Sequence, residues 1–194
     1  MPKRKTDRRT ERTRQALISA FVKLVLETGY ENFTVGEVAN RANVGRSTLY
    51  VHYSGKEDLL NACIGGLSAV LASIVGQDVE AGSIAKLVDH FAEQRIRNGI
   101  FFFPVLPIWV RNLAGLIEPK VVRLARDAGA RPLLSAGLIS HILAELQIML
   151  IGNCLAVTPI PKSAAIAETL IASTQAMLAA LLRTRAGASP LIPK

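Results

Sequence analysis

The sequence has few aromatic residues, cysteines and histidines, and each shortage argues against a class of protein. Only 5% of its 194 residues are aromatic, whereas 50% are apolar, and this balance favours helices packed on helices over a sheet protein. The two cysteines, Cys63 and Cys154, have no paired spacing, so they predict neither a disulfide framework nor a zinc site. Because the three histidines are also scattered, we predict no metal site and no cofactor.

The sequence also lacks the residue groups of an enzyme and of a membrane protein. It has no paired carboxylates, no nucleophile beside a base and no glycine-rich phosphate loop. Lys23 and Glu27 interrupt the apolar stretch that a secretory signal would need. The long apolar segment 133–157 contains His141 and Glu145, which are costly to place in lipid. We therefore expect a cytoplasmic protein that is not an enzyme and does not bind a membrane.

Positive charge is concentrated in the first quarter of the chain, within a net charge of +8. Residues 1–56 hold 11 Lys and Arg against 5 Asp and Glu, whereas residues 57–194 hold 12 against 10. A concentrated basic region suits a polyanion, because each neutralised phosphate releases condensed counterions. On charge alone, a merely soluble basic tail is an equally good interpretation.

Apolar spacing and capping residues predict short helices near the N-terminus. An apolar face at three-and-four spacing predicts a helix over residues 10–28, which Gly29 ends. Thr34 and Glu37 have the spacing of a capping box, which opens a second, short helix. Asn43 ends that helix, since asparagine tolerates the left-handed conformation of a sharp stop.

A third short helix follows almost at once. It is predicted from Gly45 to about Tyr53, with Leu49 pointing inward, and a second capping box at Ser54 and Glu57 opens a longer helix. The result is helix, turn and helix, braced by longer helices on both sides. Beyond residue 76 the signals are weaker, and prolines are expected to break the chain into helices at about 83–98, 105–115, 118–128, 133–157 and 163–185.

Several motifs between residues 14 and 60 carry a family resemblance. They are Gly29-Tyr30, Phe33-Thr34-Val35, Val38-Ala39, Ala42-Asn43-Val44 and, most specifically, the run RSTLYVHYSGKEDLL over residues 46–60. This pattern resembles the tetracycline-repressor (TetR) family of bacterial regulators. Two residues depart from it: Asn43 stands where the family usually has Gly, and Gly45 stands where Ser commonly caps the helix. Both remain compatible with the fold.

The resemblance implies an all-α protein with an N-terminal three-helix helix-turn-helix DNA-binding domain plus a larger C-terminal helical bundle domain. The predicted divisions are a basic flexible arm, a helix-turn-helix DNA-binding domain, a ligand-binding and dimerisation domain, and a flexible tail: residues 1–9, 10–56, 57–186 and 187–194. The partners that it implies are double-stranded DNA, a second copy of the chain and a small-molecule effector.

The predicted DNA contacts begin at the start of the third helix. A helix entering the major groove presents its first residues to base edges, and Gly45, Arg46, Ser47 and Thr48 occupy that end. Arg46 can span the two acceptors of a guanine. A simple phosphate contact by Arg46 is an equally open interpretation.

Other residues would hold the helix on the DNA backbone. In the manner of the family, Tyr50 and His52 would donate hydrogen bonds to phosphates. Lys56 and Thr34 each lie at a helix start, where free amides favour phosphate. Tyr53, by contrast, is interpreted as a core residue.

The last two predicted helices are expected to form a dimer interface. Apolar residues cover more than one face of 133–157 and of 163–185, so each helix needs a further partner. The resemblance implies a four-helix bundle with a second copy. Small residues would allow close approach: Ala144, Gly152, Ala172, Ala176 and Ala179. A two-fold dimer predicts an inverted-repeat operator.

An effector pocket is expected among the middle helices. Its candidate residues are Phe103, Trp109, Asn112, His141 and Glu145. For each of them, plain core packing or a solvated charge is the alternative. We predict a homodimeric repressor that an apolar or amphiphilic ligand releases from its operator. The competing hypothesis is a ligand-independent DNA-binding dimer, controlled by its abundance or by a protein partner.

Overall fold

A computed structural model describes residues 5–76, 79–98 and 105–183, with side chains for 8–76, 79–93 and 105–183. Over these ranges the chain is all-helical, which confirms the predicted fold class. A short 3₁₀ turn, Tyr30–Asn32, lies between the first two α-helices. The helices of the described ranges are α1 Lys5–Thr28, α2 Val35–Arg41, α3 Arg46–His52, α4 Lys56–Ser73, α5 Ala81–Asn98, α6 Leu106–Asp127, α7 Ala136–Ala156 and α8 Ser163–Leu182.

The helices belong to two compact units. The first unit contains the described residues among 1–67 and 94–109, and the second contains those among 68–93 and 110–194. The division falls inside α4, α5 and α6. The boundary that the sequence suggested between residues 56 and 57 therefore stays a prediction.

The core of the first unit lies where α1 packs on α2 and α2 packs on α3. Leu17 and Leu49 are fully buried there, and burial of such a side chain contributes about 1.5–3 kcal/mol. The rings of Phe21, Tyr30 and Phe33 meet edge to face, with centroids 5.6 to 6.5 Å apart, a favoured geometry for aromatic pairs.

Local signals at the ends of α1 and α2 are confirmed. The Thr34 amide donates to Glu37 Oε2 at 2.7 Å, and the Glu37 amide donates to Thr34 Oγ1 at 3.3 Å. The backbone and side-chain hydrogen bonds from Thr34 lower the pKa of the Glu37 carboxyl. Gly29 and Asn43 have positive φ angles of 85° and 52°, which glycine and asparagine tolerate better than other residues.

Two of the predicted helix starts are wrong in detail. The carboxylate that accepts from the Ser54 amide is that of Asp58, at 2.9 Å, rather than that of Glu57. α1 begins at Lys5, so residues 5–9 of the predicted arm are helical. Adding residues to an existing helix costs much less than starting one, and apolar periodicity is not needed where a helix is solvated.

A predicted break at Pro119 is also wrong, because α6 continues through it from Leu106 to Asp127. An interior proline removes one helical hydrogen bond and crowds the carbonyl four residues earlier. Burial outweighs this cost: Leu113, Ile117 and Val121 are all fully buried at i, i+4 and i+8. The face that they form spans the proline and holds both halves of the helix against the core.

In the second unit, α7 packs along α8. By length and composition both helices could cross a membrane. Of their most apolar stretches, 44% is buried in α7 and only 22% in α8. The core helix of a soluble protein passes the same test, so this is weak support for a membrane role. The low buried share of α8 does mean that much of its apolar surface is uncovered within one chain.

Asn43 offers a test of the turn between α2 and α3. We expect Asn43→Ala to lower the free energy of unfolding by about 1 kcal/mol, because a Cβ without a local polar partner disfavours positive φ. Urea unfolding measures this change. Asn40→Ala, at an exposed position of α2, is the matched control. Equal stabilities of the two variants would contradict this role of Asn43.

Candidate nucleic-acid interface

α3 is a short helix anchored on one side and exposed on the other. Leu49 is fully buried, and Tyr53, which follows the helix, is 4% exposed, so the prediction that Tyr53 is a core residue is confirmed. The residues predicted to contact DNA are largely on the other side: Gly45, Arg46, Ser47, Thr48 and Tyr50 are exposed, and His52 is half-buried. The buried residues fix the register in which these side chains are displayed.

The start of α3 is capped by backbone rather than by a side chain. Gly45 is the N-cap, with φ −61° and ψ 142°, and its carbonyl accepts from the Leu49 amide at 3.0 Å. Without a side-chain cap, the first amides of α3 keep their donors for other partners. Ser47 and Thr48 lie on this first turn.

A surface cleft of about 360 Å³ lies between the start of α2 and the exposed side of α3. Its lining is Thr34, Val35, Gly36, Arg46 and Tyr50. The fold therefore collects three of the residues predicted from sequence, Thr34, Arg46 and Tyr50, in one place. Gly36 and Val35 were not predicted. A glycine in the first turn of a helix, where it is a weak helix former, was the available signal.

Lys56 lies among the aromatic rings of the first unit. Its Nζ donates to the Phe33 carbonyl at 2.9 Å, and it lies 4.6 Å from the ring centroid of Tyr30 and 4.5 Å from that of Phe33. These distances fit cation–π contacts. An ammonium has three donors, and the side chain is half-buried, so the contact with Phe33 leaves donors for a second partner.

The residues predicted to line an effector pocket differ in their exposure. Trp109 is 2% exposed, and Asn112, three residues further along α6, is half-buried. His141 and Glu145 are exposed on α7, with Nε2 and Oε1 3.6 Å apart. This arrangement agrees with the alternative interpretation, in which these residues are solvated or paired charges. Phe103 lies outside the described residues, as does the tail 187–194.

Two polar side chains of the second unit were missed by sequence reasoning. Gln147 on α7 and Thr174 on α8 are fully buried. Neither the amide atoms of Gln147 nor Oγ1 of Thr174 has a hydrogen-bond partner. Leaving such a group unsatisfied costs about 1–3 kcal/mol. The available signal was a glutamine within the apolar i, i+4 series of Leu143 and Ile151.

The cysteines and the metal-binding residue types support no reactive centre in the described ranges. Burial raises the pKa of the Cys63 thiol to about 12, so this thiol stays protonated and unreactive near neutral pH. Within those ranges, no three His, Cys, Asp or Glu side chains form a group that could hold a metal ion.

The chain is similar in sequence to known bacterial regulators. Residues 17–63 match the family described as bacterial regulatory proteins, tetR family. YxbF, an HTH-type transcriptional regulator of Bacillus subtilis (strain 168), is 41% identical over 59 residues, which are 30% of this chain but only 16% of YxbF. The HTH-type transcriptional repressor Rv3405c of Mycobacterium tuberculosis is 26% identical over 133 residues, 65% of this chain and 71% of the repressor.

The fold is similar to that of a solved structure. The crystal structure of a TetR transcriptional regulator from Streptococcus agalactiae matches with a TM-score of 0.53 at 22% identity, covering 87% of this chain and 97% of that one. α2 and α3 thus form a helix-turn-helix of the type found in transcriptional regulators. The match to the tetR family of bacterial regulatory proteins covers residues 17–63, which include α2 and α3. The matched proteins are named as regulators, which agrees with the prediction that the chain is not an enzyme.

The position of Lys56 predicts a contribution to the stability of the first unit. We expect Lys56→Met to lower the free energy of unfolding by about 1–2 kcal/mol, because methionine keeps the apolar stem but loses the hydrogen bond and the cation–π contacts. Chemical denaturation measures this change in the free energy of unfolding. Lys23→Met, at an exposed position of α1, is the control. A Lys56→Met protein as stable as the control would show that these contacts are not stabilising.

Proposed function

We propose that the protein is a cytoplasmic, sequence-specific DNA-binding transcriptional regulator that acts as a homodimeric repressor. The observation that carries this proposal is the exposed side of α3, held outward by buried Leu49 and bordered by the cleft that Thr34, Arg46 and Tyr50 line. The excess of Lys and Arg in residues 1–56 adds a sequence-independent attraction to phosphate.

The exposed residues divide into two roles. Arg46, Ser47 and Thr48, on the first turn of α3, meet base edges in the major groove. Tyr50 is 60% exposed, and its hydroxyl donates to a phosphate. The Thr34 hydroxyl already donates to Glu37 Oε2 at 2.8 Å, so Thr34 borders this contact across the cleft without donating to the phosphate. His52 and the remaining donors of Lys56 bind phosphates at the edge of the contact. Phosphate contacts fix the register of the helix, and base contacts select the sequence.

A homodimer is supported by the uncovered surface of α8. Several small residues on this helix are exposed, and Met177 is 37% exposed beside them; the small residues are Ala165, Ala172, Ala176 and Ala179. Small side chains allow two helices to approach closely, and an exposed apolar face needs a partner. Ala144, in contrast, is fully buried within the chain. A two-fold pair of such chains binds an inverted repeat.

Selection of bound duplexes from a random pool tests this proposal. We expect an inverted repeat with half-sites about one helical turn apart. Tyr50→Phe should bind the selected DNA about tenfold more weakly, because a hydrogen bond to a charged group contributes about 1.5–3 kcal/mol. Tyr53→Phe removes the same hydroxyl from a buried residue of the same segment, and we expect it to bind like the unaltered protein.

Three outcomes contradict the proposal. The first is the absence of any salt-dependent affinity for duplex DNA. The second is a set of selected sequences without two-fold symmetry, together with sedimentation as a monomer both free and on DNA. The third is an equal loss of affinity in Tyr50→Phe and Tyr53→Phe.

We further propose that an apolar or amphiphilic effector binds in the second unit and releases the DNA. Gln147 and Thr174 support this proposal, because their buried polar atoms lack partners and an effector with a carbonyl or hydroxyl group would supply them. Such release requires that the effector bind one state of the protein better than the other. A ligand-independent dimer, controlled by abundance or by a protein partner, remains the alternative function.

Gln147→Leu tests the effector proposal. We expect it to raise the free energy of unfolding by about 1 kcal/mol, because it removes unsatisfied buried groups. It should also abolish the increase in melting temperature that any compound from a panel of phenols, fatty acids and lactones causes in the unaltered protein. Gln15→Leu, at an exposed site on α1, is the control. If no compound stabilises the unaltered protein or releases its DNA, the ligand-independent alternative is favoured.

A further inference from the structure

Gly36 lies directly against the guanidinium of Arg46. Gly36 is the second residue of α2, and Arg46 is the first residue of α3. A methyl group at Gly36 would lie 2.7 Å from Nη2, 3.0 Å from Cζ and 3.1 Å from Nε of Arg46. Carbon atoms do not approach so closely without displacement. Any larger residue at position 36 must therefore push the guanidinium out of its present place.

The backbone at position 36 does not itself require glycine. Gly36 lies within a regular helix, and the positive φ angles of the described glycines are those of Gly29 and Gly129. In a helix, alanine is preferred to glycine by its propensity. The specific consequence of glycine here is thus the space it leaves, which the Arg46 guanidinium fills.

The seated guanidinium keeps its donors available. Among the residues that the structure describes, no ion pair or hydrogen bond involves the Arg46 side chain. Tyr50, four residues on and therefore on the same face of α3, lines the cleft beside it. Contact with the bare backbone of α2 limits the directions in which the planar fork of donors can point. A fixed fork suits bidentate recognition of one base pair, which a freely rotating chain serves less well.

We propose that Gly36 is a specificity-determining position, which orients the Arg46 guanidinium so that it reads one base pair of the operator. Gly36 acts through Arg46 and needs no contact of its own with a base. This inference rests on the proposed DNA-binding function, and it adds a residue of α2 to the recognition surface of α3.

The experiment compares the DNA sequences selected by the unaltered protein, Gly36→Ala, Arg46→Ala and the double variant. We expect Gly36→Ala to discriminate about tenfold less well than the unaltered protein at one base pair. This should be the same base pair at which Arg46→Ala loses discrimination. In the Arg46→Ala background, Gly36→Ala should have no further effect, because there is no guanidinium left to displace. Non-additivity of this kind identifies a direct coupling between the two residues.

Gly66→Ala is the matched control, since Gly66 lies within α4 and a methyl group there would meet nothing within 4 Å. Both alanine variants should melt at or above the temperature of the unaltered protein, because alanine favours the helix. A change of specificity in Gly36→Ala alone therefore cannot be ascribed to unfolding.

Each other outcome overturns the inference. Unchanged discrimination in Gly36→Ala, or effects of the two substitutions that simply add, would show that Gly36 does not orient Arg46. Equal weakening on all sequences in Gly36→Ala and Arg46→Ala would make Arg46 a phosphate contact. In each of these cases a selective unaltered protein leaves the proposed function standing. An unaltered protein that selects no sequence overturns both.

Discussion

The candidate DNA-binding surface depends on the packing of Leu49, which is buried against the first unit. α3 has only seven residues, and isolated helices of that length are not stable in water. Its amides are ordered because Leu49, fully buried, and Tyr53, 4% exposed, hold it against the first unit. The same contact decides which side chains face outward. The exposed positions of Arg46 and Tyr50 are thus consequences of packing on the opposite side of the helix.

Features set by neighbouring residues could be predicted from the sequence, and features set by tertiary packing could not. The Thr34 and Glu37 capping box and the positive φ of Asn43 depend on a few adjacent residues. Continuation of α6 through Pro119 depends instead on buried residues on both sides of it. The proline rule describes an exposed helix, and here burial overrides it.

The candidate site shows the same division. Family resemblance predicted the role of Tyr50, because its residue type matches a motif at fixed spacing, and the place of Arg46 at the start of the third predicted helix made it the candidate for a base contact. The resemblance could not identify the contact of Gly36 with Arg46 or that of Lys56 with Phe33. Both join residues of different elements, and they depend on the course of a long side chain that no local pattern specifies. Such contacts decide how a recognisable motif is used in a particular chain.

Two positions break the rules of local stability, and both lie where function is proposed. Gly36 is a weak helix former in α2, and Gln147 leaves its amide unsatisfied within an apolar series of α7. For stability alone, alanine and leucine would serve better at these positions. Departures of this kind are expected at functional sites, where other interactions justify them. The guanidinium against Gly36 is one such interaction, and a polar effector group against Gln147 would be another. The two departures thus support the proposed specificity of the first unit and the proposed effector binding of the second on separate physical grounds.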